Sequence, residues 1–344
     1  MVQGAVKMGR YWNARRARRG IPEPTMKISI ARCIVCTAAM IGTGAATAQT
    51  YPNKPIRFVV SFPAGSATDS AARLVANHIA RTTGHVVVVD NKPGANGFIA
   101  AEAVAKAPAD GYTVLITTQT THAINPSMFR KLPYDPVRDF TPVSTITKGA
   151  LLLVAANSFP AGNVAELTAL ARKQPGKITF ASGNMSSRAG GELYAMMAGV
   201  QLLHVPYKGA PQALTDVVAG QVNLMWADSF TGSGQLRAGR VKALATTGTE
   251  RMKNAPEVPT MVEQGFPGYE LYAWSAAYLP ANAPAEIVNR LNGWIQAAIK
   301  SDPAYFDASG GVPFPLSPAD FAKFQAKEID LWARIVKASG VEPE

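Results

Sequence analysis

Apolar runs of strand length alternate with helical patterns along the chain from residue 56 onward. In the first part of the chain, these runs are Ile56–Val60, Val86–Val89, Tyr112–Ile116 and Phe140–Ile146. The spacing of apolar residues between them predicts helices over 68–82 and 97–107. Strands separated by helices and by short loops rich in Gly, Pro and Asp favour a parallel sheet that is covered on both faces.

The same alternation repeats in the second part of the chain. Strands are predicted at Leu151–Ala155, Ile178–Ala181, Leu202–Val205, Val222–Trp226 and Val241–Thr246. The predicted helices are Asn163–Lys173, Gly190–Ala198, Pro211–Ala219 and Gly232–Ala238. One further strand, Trp274–Leu279, precedes helices over 285–300 and 318–339. Because a lone strand with helices cannot bury itself, we expect this tail to complete the first domain.

The pattern therefore predicts an α/β protein with two doubly wound α/β domains. We expect residues 49–147 and 271–344 to form domain 1, and residues 148–270 to form domain 2. Two chain crossings, near residues 147 and 271, predict an interdomain cleft with a two-strand hinge. Ligands of parallel α/β sheets bind at the carboxyl ends of the strands, so the loops at those ends are the candidate site.

Residues 1–48 have the pattern of a cleaved signal peptide. Met26 opens a short basic segment, and residues 33–46 are a small, apolar run that is too short to span a bilayer. Ala48 ends an A-x-A cleavage signal. Met26 is a candidate start of the natural chain, and a longer leader from Met1 is the alternative. We expect export to the periplasm with cleavage after Ala48.

Charge and cysteine content narrow the function classes. The formal net charge is +11, but +7 of it falls in the leader, where eight Lys/Arg accompany one Glu. The other 296 residues carry 26 basic and 22 acidic side chains, so no nucleic-acid partner is indicated. Both cysteines, Cys33 and Cys36, lie in the leader. The mature chain then has no disulfide framework, thiolate metal site or cysteine nucleophile.

Small, polar and glycine residues follow the predicted strands. The first such loop, SFPAGSATD at 61–69, lacks the lysine of a phosphate loop and the third glycine of a dinucleotide fingerprint. Similar loops occur at 117–126, 182–188, 207–210 and 227–230. Backbone N–H groups and short hydroxyl side chains at helix N-termini suit a carboxylate. Alternatively, Ser66, Thr68 and Asp228 only cap helices, and Arg188 and Lys208 are surface charges.

Catalytic and metal-binding patterns are weak. The four histidines, at 78, 85, 122 and 204, form no spacing such as H-E-x-x-H. No G-x-S-x-G nucleophile elbow is found. A Ser–His pair across the cleft stays open as an alternative. We expect no catalytic residues, no metal and no cofactor.

Many short motifs occur in an order and spacing that are typical of one family. They are YPNKPIR (51–57), FPAG (62–65), ATD (67–69), NKPGA (91–95), DGY (110–112), INP (124–126), LPYDP (132–136), HVPYKG (204–209) and VPT (258–260). Through essentially the whole mature chain, the sequence resembles the Bug-type substrate-binding receptors of tripartite tricarboxylate transporters. The resemblance implies two α/β domains of the type II periplasmic-binding-protein kind that close on a carboxylate.

The resemblance also implies the residues that hold the carboxylate. Carried over to this chain, they are Ser66, Ala67, Thr68, Asp69, Thr120, Thr121, Ser182, Ser186, Ser187, Tyr207 and Asp228. Three departures from the family pattern stand out. Ser66 replaces a usual glycine, Arg188 replaces a common histidine, and the acid Asp228 is displaced by one position within Trp-Ala-Asp. Arg188 adds a permanent charge, and we expect it to bind a second carboxylate of the ligand.

We therefore expect a monomeric, non-enzymatic receptor that captures a small carboxylate and delivers it to integral membrane transporter subunits. The ligand classes are di- or tricarboxylates and aromatic acids. One alternative is a periplasmic sensor whose closed form signals to a partner. Another is a secreted hydrolase or isomerase, which would need an acid/base pair with perturbed pKa values in the cleft.

Overall fold

The apolar runs form the strands of one mixed β-sheet in the computed structural model, which describes residues 51–339, 342 and 343. The predicted leader, its cleavage site and both cysteines lie outside these residues. The strands are β1 (Ile56–Val60), β2 (Val87–Asn91), β3 (Thr113–Thr118), β4 (Phe140–Ala156), β5 (Thr179–Ser182), β6 (Leu203–Pro206), β7 (Leu224–Asp228), β8 (Val241–Thr246), β9 (Tyr272–Pro280) and β10 (Val312–Pro313). Their order is β2-β1-β3-β9-β4-β7-β5-β6, and β8 and β10 also pair with β4.

Helices connect the strands and cover the sheet. They are α1 (Ala67–Thr83), α2 (Phe98–Ala105), α3 (Asn125–Met128), α4 (Val164–Lys173), α5 (Met185–Ala198), α6 (Ala210–Val218), α7 (Ser229–Arg237), α8 (Ala285–Ser301), α9 (Pro303–Ser309) and α10 (Pro318–Ser339). Among the described helices, none combines the length and apolar character that a membrane span requires.

Capping side chains set where several helices begin. In five helices the residue before the first turn accepts a hydrogen bond from the N–H three residues later: Ser66, Asn163, Asn184, Asp228 and Asp302. The helix predicted at 190–198 therefore begins earlier, at Met185, and the one predicted at 232–238 begins at Ser229. Serine and glycine lower helix propensity in these first turns, but the caps outweigh them.

A loop predicted at 117–126 is partly helical. It contains a π-helical turn at Thr120–Ile124, which runs directly into α3. The polar sequence Thr-Thr-Gln-Thr-Thr indicated a loop, yet residues 119–125 are all buried. Burial under α10 accounts for the regular backbone, since buried N–H and C=O groups need partners.

The sheet is mixed, so the prediction of a parallel sheet is wrong at its centre. β1, β2 and β3 are parallel, and β5, β6 and β7 are parallel. β4 and β9 run antiparallel to each other and to their other neighbours. The reason is topological, because β4 leaves the first half of the sheet (β1–β3 and β9) for the second half (β5–β8) and β9 returns.

The two strands predicted at 140–146 and 151–155 are one strand, β4, of 17 residues. The segment between them, Thr147–Ala150, stays extended and pairs with β9. Its Thr-Lys-Gly sequence resembles a linker, but the pairing on both edges supplies its backbone hydrogen bonds. The described residues form one compact unit, and the predicted domain boundaries stay a prediction.

Two glycines let α5 approach the second half of the sheet closely. A Cβ atom on Gly191 would lie 2.3 Å from Cε2 of Phe180, and one on Gly190 would lie 2.6 Å from Cδ1 of Trp226. Both aromatic side chains are buried and have little room to move. The Gly-Gly pair, unfavourable in a helix interior by propensity, is therefore required by packing.

Gly191→Ala is expected to lower the free energy of unfolding by about 1–3 kcal/mol, because the added methyl overpacks a filled core. Gly293→Ala in α8 is the matched control, since a Cβ atom added there would have no heavy atom within 4 Å outside its own helix. That control should stabilise the protein by about 0.5–1 kcal/mol through helix propensity. Urea unfolding curves measure both, and equal effects of the two substitutions would contradict the packing argument.

Candidate functional site

A cavity of about 60 Å³ lies between the two halves of the sheet. Its walls come from β4, β9 and the loops that precede several helices: Phe62, Ser66, Ala67, Thr68, Thr118, Thr147, Gly149, Asn184, Ser186, Ala210, Asp228, Ser229, Ala273, Trp274 and Ser275. Among the described residues, no lysine or arginine lines this cavity, and no cluster of His, Asp and Glu is placed to hold a metal. An anion bound here is therefore held by N–H groups and hydroxyls.

Four helices begin at this cavity. α1 starts after Ser66, α5 after Asn184, α6 after Gly209 and α7 after Asp228. The first N–H groups of a helix have no partner within the helix and lie at the positive end of its dipole. Four such ends around one cavity favour a bound anion.

The loops of the two halves touch beside the cavity. A Cβ atom on Gly209, which precedes α6, would lie 2.6 Å from Cδ of Pro63 in the loop after β1. Glycine is therefore required at this point of contact. The close approach brings the loop after β1 and the start of α6 together beside the cavity.

Asp69 organises the loop after β1 from behind the cavity. Its Oδ2 accepts hydrogen bonds from Gly65 N–H and Arg73 Nε, each at 3.0 Å. Its Oδ1 accepts one from Asn91 Nδ2 at 3.0 Å, and the same amide donates to the Phe62 carbonyl at 3.0 Å. Desolvation raises the pKa of Asp69, but the hydrogen bonds from Arg73, Gly65 and Asn91 outweigh it and hold the pKa below its ordinary value. The carboxylate thus shapes the loop and does not line the cavity.

Asp228 places a carboxyl group at a site that suits anions. The group accepts hydrogen bonds from Thr231 N–H at 2.9 Å and Thr231 Oγ1 at 2.8 Å, and so caps α7. Desolvation raises its pKa, and the hydrogen bonds from Thr231 only partly oppose this. Asp228 therefore takes up a proton at a higher pH than an exposed aspartate, which weakens its repulsion of an anion as the pH falls.

Five of the residues expected to bind ligand line the cavity together: Ser66, Ala67, Thr68, Ser186 and Asp228. Two others, Thr120 and Thr121, are buried in the π-helical turn. The Thr121 hydroxyl bonds to Thr117 Oγ1 at 2.8 Å and to His122 Nδ1 at 2.7 Å. The Ser187 hydroxyl lies 3.5 Å from the Ala181 carbonyl. The Thr121 and Ser187 hydroxyls therefore make contacts within the framework of the site.

Ser182 and Tyr207 also have partners within the protein. Ser182 Oγ lies 2.7 Å from His204 Nε2, and this Ser–His pair joins the neighbouring strands β5 and β6 instead of crossing the cavity. Tyr207 donates to Asp216 Oδ2 at 2.6 Å. Desolvation, with the adjacent Asp216 carboxylate, raises the pKa of Tyr207 to about 12. Tyr207 and Lys208 line a neighbouring cavity of about 300 Å³.

The structure places Arg188 on the opposite side of α5 from this cavity. Successive helix residues are rotated by about 100°, so Arg188 and Ser186, two residues apart, point in nearly opposite directions. Arg188 Nε lies 3.7 Å from Glu192 Oε1, one turn further on. Arg188 lines a separate, apolar cavity against α10. The expected contact between Arg188 and a carboxylate in the cleft is therefore absent from the described geometry.

Sequence reasoning missed the contribution of the two central strands. Thr147 and Gly149 of β4, and Trp274 and Ser275 of β9, line the cavity. Ser275 is buried, and in the described part of the chain its Oγ has no hydrogen-bond partner. It is therefore available to a ligand. No helix cap or glycine loop marks these four positions in the sequence. Asn184 also lines the cavity, and it could have been recognised in the sequence as a helix cap that follows a strand.

Comparison with known proteins identifies the family. Residues 71–341 match the family described as "Tripartite tricarboxylate transporter family receptor". The chain belongs to this receptor family. A protein from the tcbD-tcbE intergenic region of Pseudomonas sp. (strain P51) is 38% identical over 307 residues, which cover 86% of this chain and 89% of the relative. The predicted resemblance to Bug-type receptors is confirmed.

Solved structures of related receptors share the fold. R. palustris Rpa4515, solved with adipate, is 35% identical with a TM-score of 0.83, covering 86% of this chain and 100% of that chain. The periplasmic binding protein BugD is 32% identical with a TM-score of 0.80, covering 86% and 100%. MatC from Rhodopseudomonas palustris, solved with bound malate, is 31% identical with a TM-score of 0.78, covering 83% and 100%. The predicted periplasmic-binding-protein-like α/β fold is confirmed.

Asp69→Ala is expected to destabilise this receptor by about 2–4 kcal/mol, because it removes a buried carboxylate with three partners. The folded-state pKa of Asp69 is lowered, so its stabilisation is present above the unfolded-state pKa of about 4. The stabilisation is lost as the pH falls through the lower folded-state value.

Urea unfolding at pH 7 and at several values between about pH 2 and 4 measures this effect. The mutational loss should shrink towards the acid end. Asp330→Ala, which removes an exposed aspartate on the surface of α10, serves as the control. A loss for Asp69→Ala that is the same at every pH would show that the charge of Asp69 contributes nothing.

Proposed function

We propose that this receptor binds a small dicarboxylic acid in the cavity between the two halves of the sheet and delivers it to membrane transporter subunits. The meeting of four helix N-termini and several hydroxyl groups around one cavity, without a lysine or arginine from the described residues, carries the proposal. Oriented N–H dipoles hold a carboxylate well when water is excluded. The related receptors solved with adipate and malate support the same class of ligand.

The cavity of about 60 Å³ has room for about four to six water-sized groups at about 10–15 Å³ each. A dicarboxylate such as malate or adipate and an aromatic acid are each larger than this, so either acid requires the walls to separate. The helix N-termini on both sides of the cavity favour an acid with two carboxylates, one towards α1 and the other towards α5 and α7.

In the proposed division, domain 1 comprises residues 49–147 and 271–344, and domain 2 comprises residues 148–270. Binding of the acid between them would couple to their relative arrangement. Ser66 to Thr68 belong to the first of these domains, and Ser186 and Asp228 belong to the second. Because residues of both domains contact one acid molecule, the bound acid favours the arrangement in which the two domains face each other. Transporter subunits can then discriminate loaded from empty receptor.

We propose a periplasmic location with cleavage of the leader after Ala48.

A sensor function is the second candidate, because it would use the same cavity and the same closure. It differs only in the partner that recognises the closed form. Copurification of the ligand-loaded receptor with transporter membrane subunits supports delivery, and failure to copurify with them while binding another membrane protein supports sensing.

Loss of hydroxyl groups from the cavity should weaken binding of the acid. We expect Ser186→Ala and Ser275→Ala each to raise the dissociation constant for malate or adipate about 5- to 50-fold, as loss of a hydrogen bond to a charged group does. Ser158→Ala, an exposed serine remote from the cavity, is the control. Thermal shift and calorimetric titration of residues 49–344 provide the measurement.

A saturating acid at about 100 times its dissociation constant should stabilise the wild-type fold by about 2.7 kcal/mol. Wild-type affinity in both serine variants would place the ligand elsewhere. A flat response to a panel of aliphatic and aromatic acids, in a protein that melts cooperatively, would contradict the carboxylate proposal once mass spectrometry shows no ligand retained from expression.

Asp228→Asn tests the sign of the electrostatics in the cavity. Asparagine caps a helix as well as aspartate does, so α7 should keep its start. Removing one negative charge should tighten binding of a dicarboxylate about five- to tenfold near neutral pH, and should flatten the pH dependence that the raised pKa of Asp228 produces. Weaker binding by this variant would instead show that Asp228 accepts a hydrogen bond from the ligand.

A further inference from the structure

A second cavity, of about 130 Å³, lies between α5 and the C-terminal helix α10. Its walls are mostly apolar and rich in methionine, and they include Met128, Met185, Leu193, Met196, Trp332 and Ile335. This apolar cavity shares no lining residue with the cleft cavity. Met185 faces the apolar cavity, while its neighbour Ser186 faces the cleft. The two cavities are thus on different sides of α5.

The apolar cavity is larger than a close-packed interior normally leaves unfilled. Protein cores contain few voids bigger than a water molecule, and an empty cavity removes dispersion contacts from the atoms that line it. Water gains little there, because it needs two to four polar partners and the walls are mostly aliphatic, thioether and aromatic. The cavity therefore favours an apolar occupant.

The charged groups at the cavity indicate a neutral occupant. Arg188 and Glu192 also line the cavity, with Nε and Oε1 3.7 Å apart. Their charges offset each other, so the cavity attracts neither an acid nor a base by net charge. An occupant that carried a charge would lose its hydration without gaining a dedicated counter-charge.

The side chains indicate an aromatic ring. Three methionines line the cavity, and thioether sulfurs make favourable contacts with ring edges while adapting to the shape of a ligand. Trp332 offers an indole surface for stacked or edge-to-face packing. For comparison, an engineered apolar cavity of about 150 Å³ in another protein binds benzene. Met196, about half exposed, lines the cavity where it meets solvent.

We propose that the apolar cavity is a second ligand site, specific for a small, neutral aromatic molecule about the size of benzene or toluene. Ile124 and Met128, which follow β3, form one wall with α10, and α5 of the second half of the sheet forms the other. The occupant therefore contacts both halves and stabilises their present arrangement. The site is spatially separate from the acid site in the cleft, because the two cavities share no lining residue.

Binding of fluorobenzene to residues 49–344, followed by ¹⁹F NMR, tests the proposal. We expect saturable binding with a dissociation constant on the order of 0.1–1 mM, as suits a ligand of about seven heavy atoms. Ala189→Leu should weaken binding at least about tenfold, because Ala189 lines the cavity and the added atoms occupy the ligand's space. Absence of saturable binding to the wild-type protein would overturn the site.

Substitution of two adjacent methionines on α5 provides a second test with a matched control. Unlike Ala189→Leu, these substitutions add no atoms to the cavity. Met196 lines the cavity and Met197 does not, although both are partly exposed. Met196→Ala should weaken fluorobenzene binding about two- to fivefold, and Met197→Ala should leave it unchanged. Equal effects of these two substitutions, or wild-type binding by a folded Ala189→Leu protein, would place fluorobenzene elsewhere and overturn the proposal.

Discussion

The pairing of β4 with β9 is the interaction on which the rest of the structure depends. Nine residue pairs join the two strands, from Phe140 opposite Pro280 to Ala150 opposite Tyr272. β4 continues beyond this ribbon to pair with β7 and β8, and β9 pairs on its other edge with β3. Gln119, at the end of β3, donates from Nε2 to the Tyr272 carbonyl at 2.9 Å and so secures the ribbon where it enters the first half. The paired strands β4 and β9 thereby set the position of the α1 N-terminus in the first half relative to the α5, α6 and α7 N-termini in the second half.

In the proposed function, recognition of the acid at the cleft cavity relies on dipoles that the fold has already oriented. Helix N-termini and hydroxyl groups provide the positive potential, and the described lining contains no cationic side chain. Such groups need little rearrangement when an anion binds, because tertiary packing fixes the helices. Asp69 contributes indirectly, since its three hydrogen bonds hold the loop that carries Ser66. Among the described residues that line the cavity, Asp228 is the carboxyl group that opposes an anion, and the proposed binding is expected to depend on pH for that reason.

The sequence predicted the strands and helices that have a clear period, and it located the cleft because glycine and hydroxyl loops follow those strands. One of its errors has a tertiary cause, because strand pairing overrides local pattern. Thr147 to Ala150 form a strand only because β9 and β10 lie beside them. Arg188 was expected in the cleft because it lies in the polar loop predicted at 182–188, but a helix that starts at Met185 turns its side chain away. Thr120 and Thr121 were expected to meet ligand, but the π-helical turn buries them.

The central ribbon also determines how the two halves can move. A pair of hydrogen-bonded antiparallel strands resists stretching and sliding, because either motion breaks several backbone hydrogen bonds at once, but it twists and bends readily. The pairing of β4 with β9 is irregular between Pro142 and Ser144 and between Thr145 and Thr147, and these irregularities are where bending meets least resistance. For the closure proposed above, the paired strands therefore permit torsion of one half against the other and resist sliding.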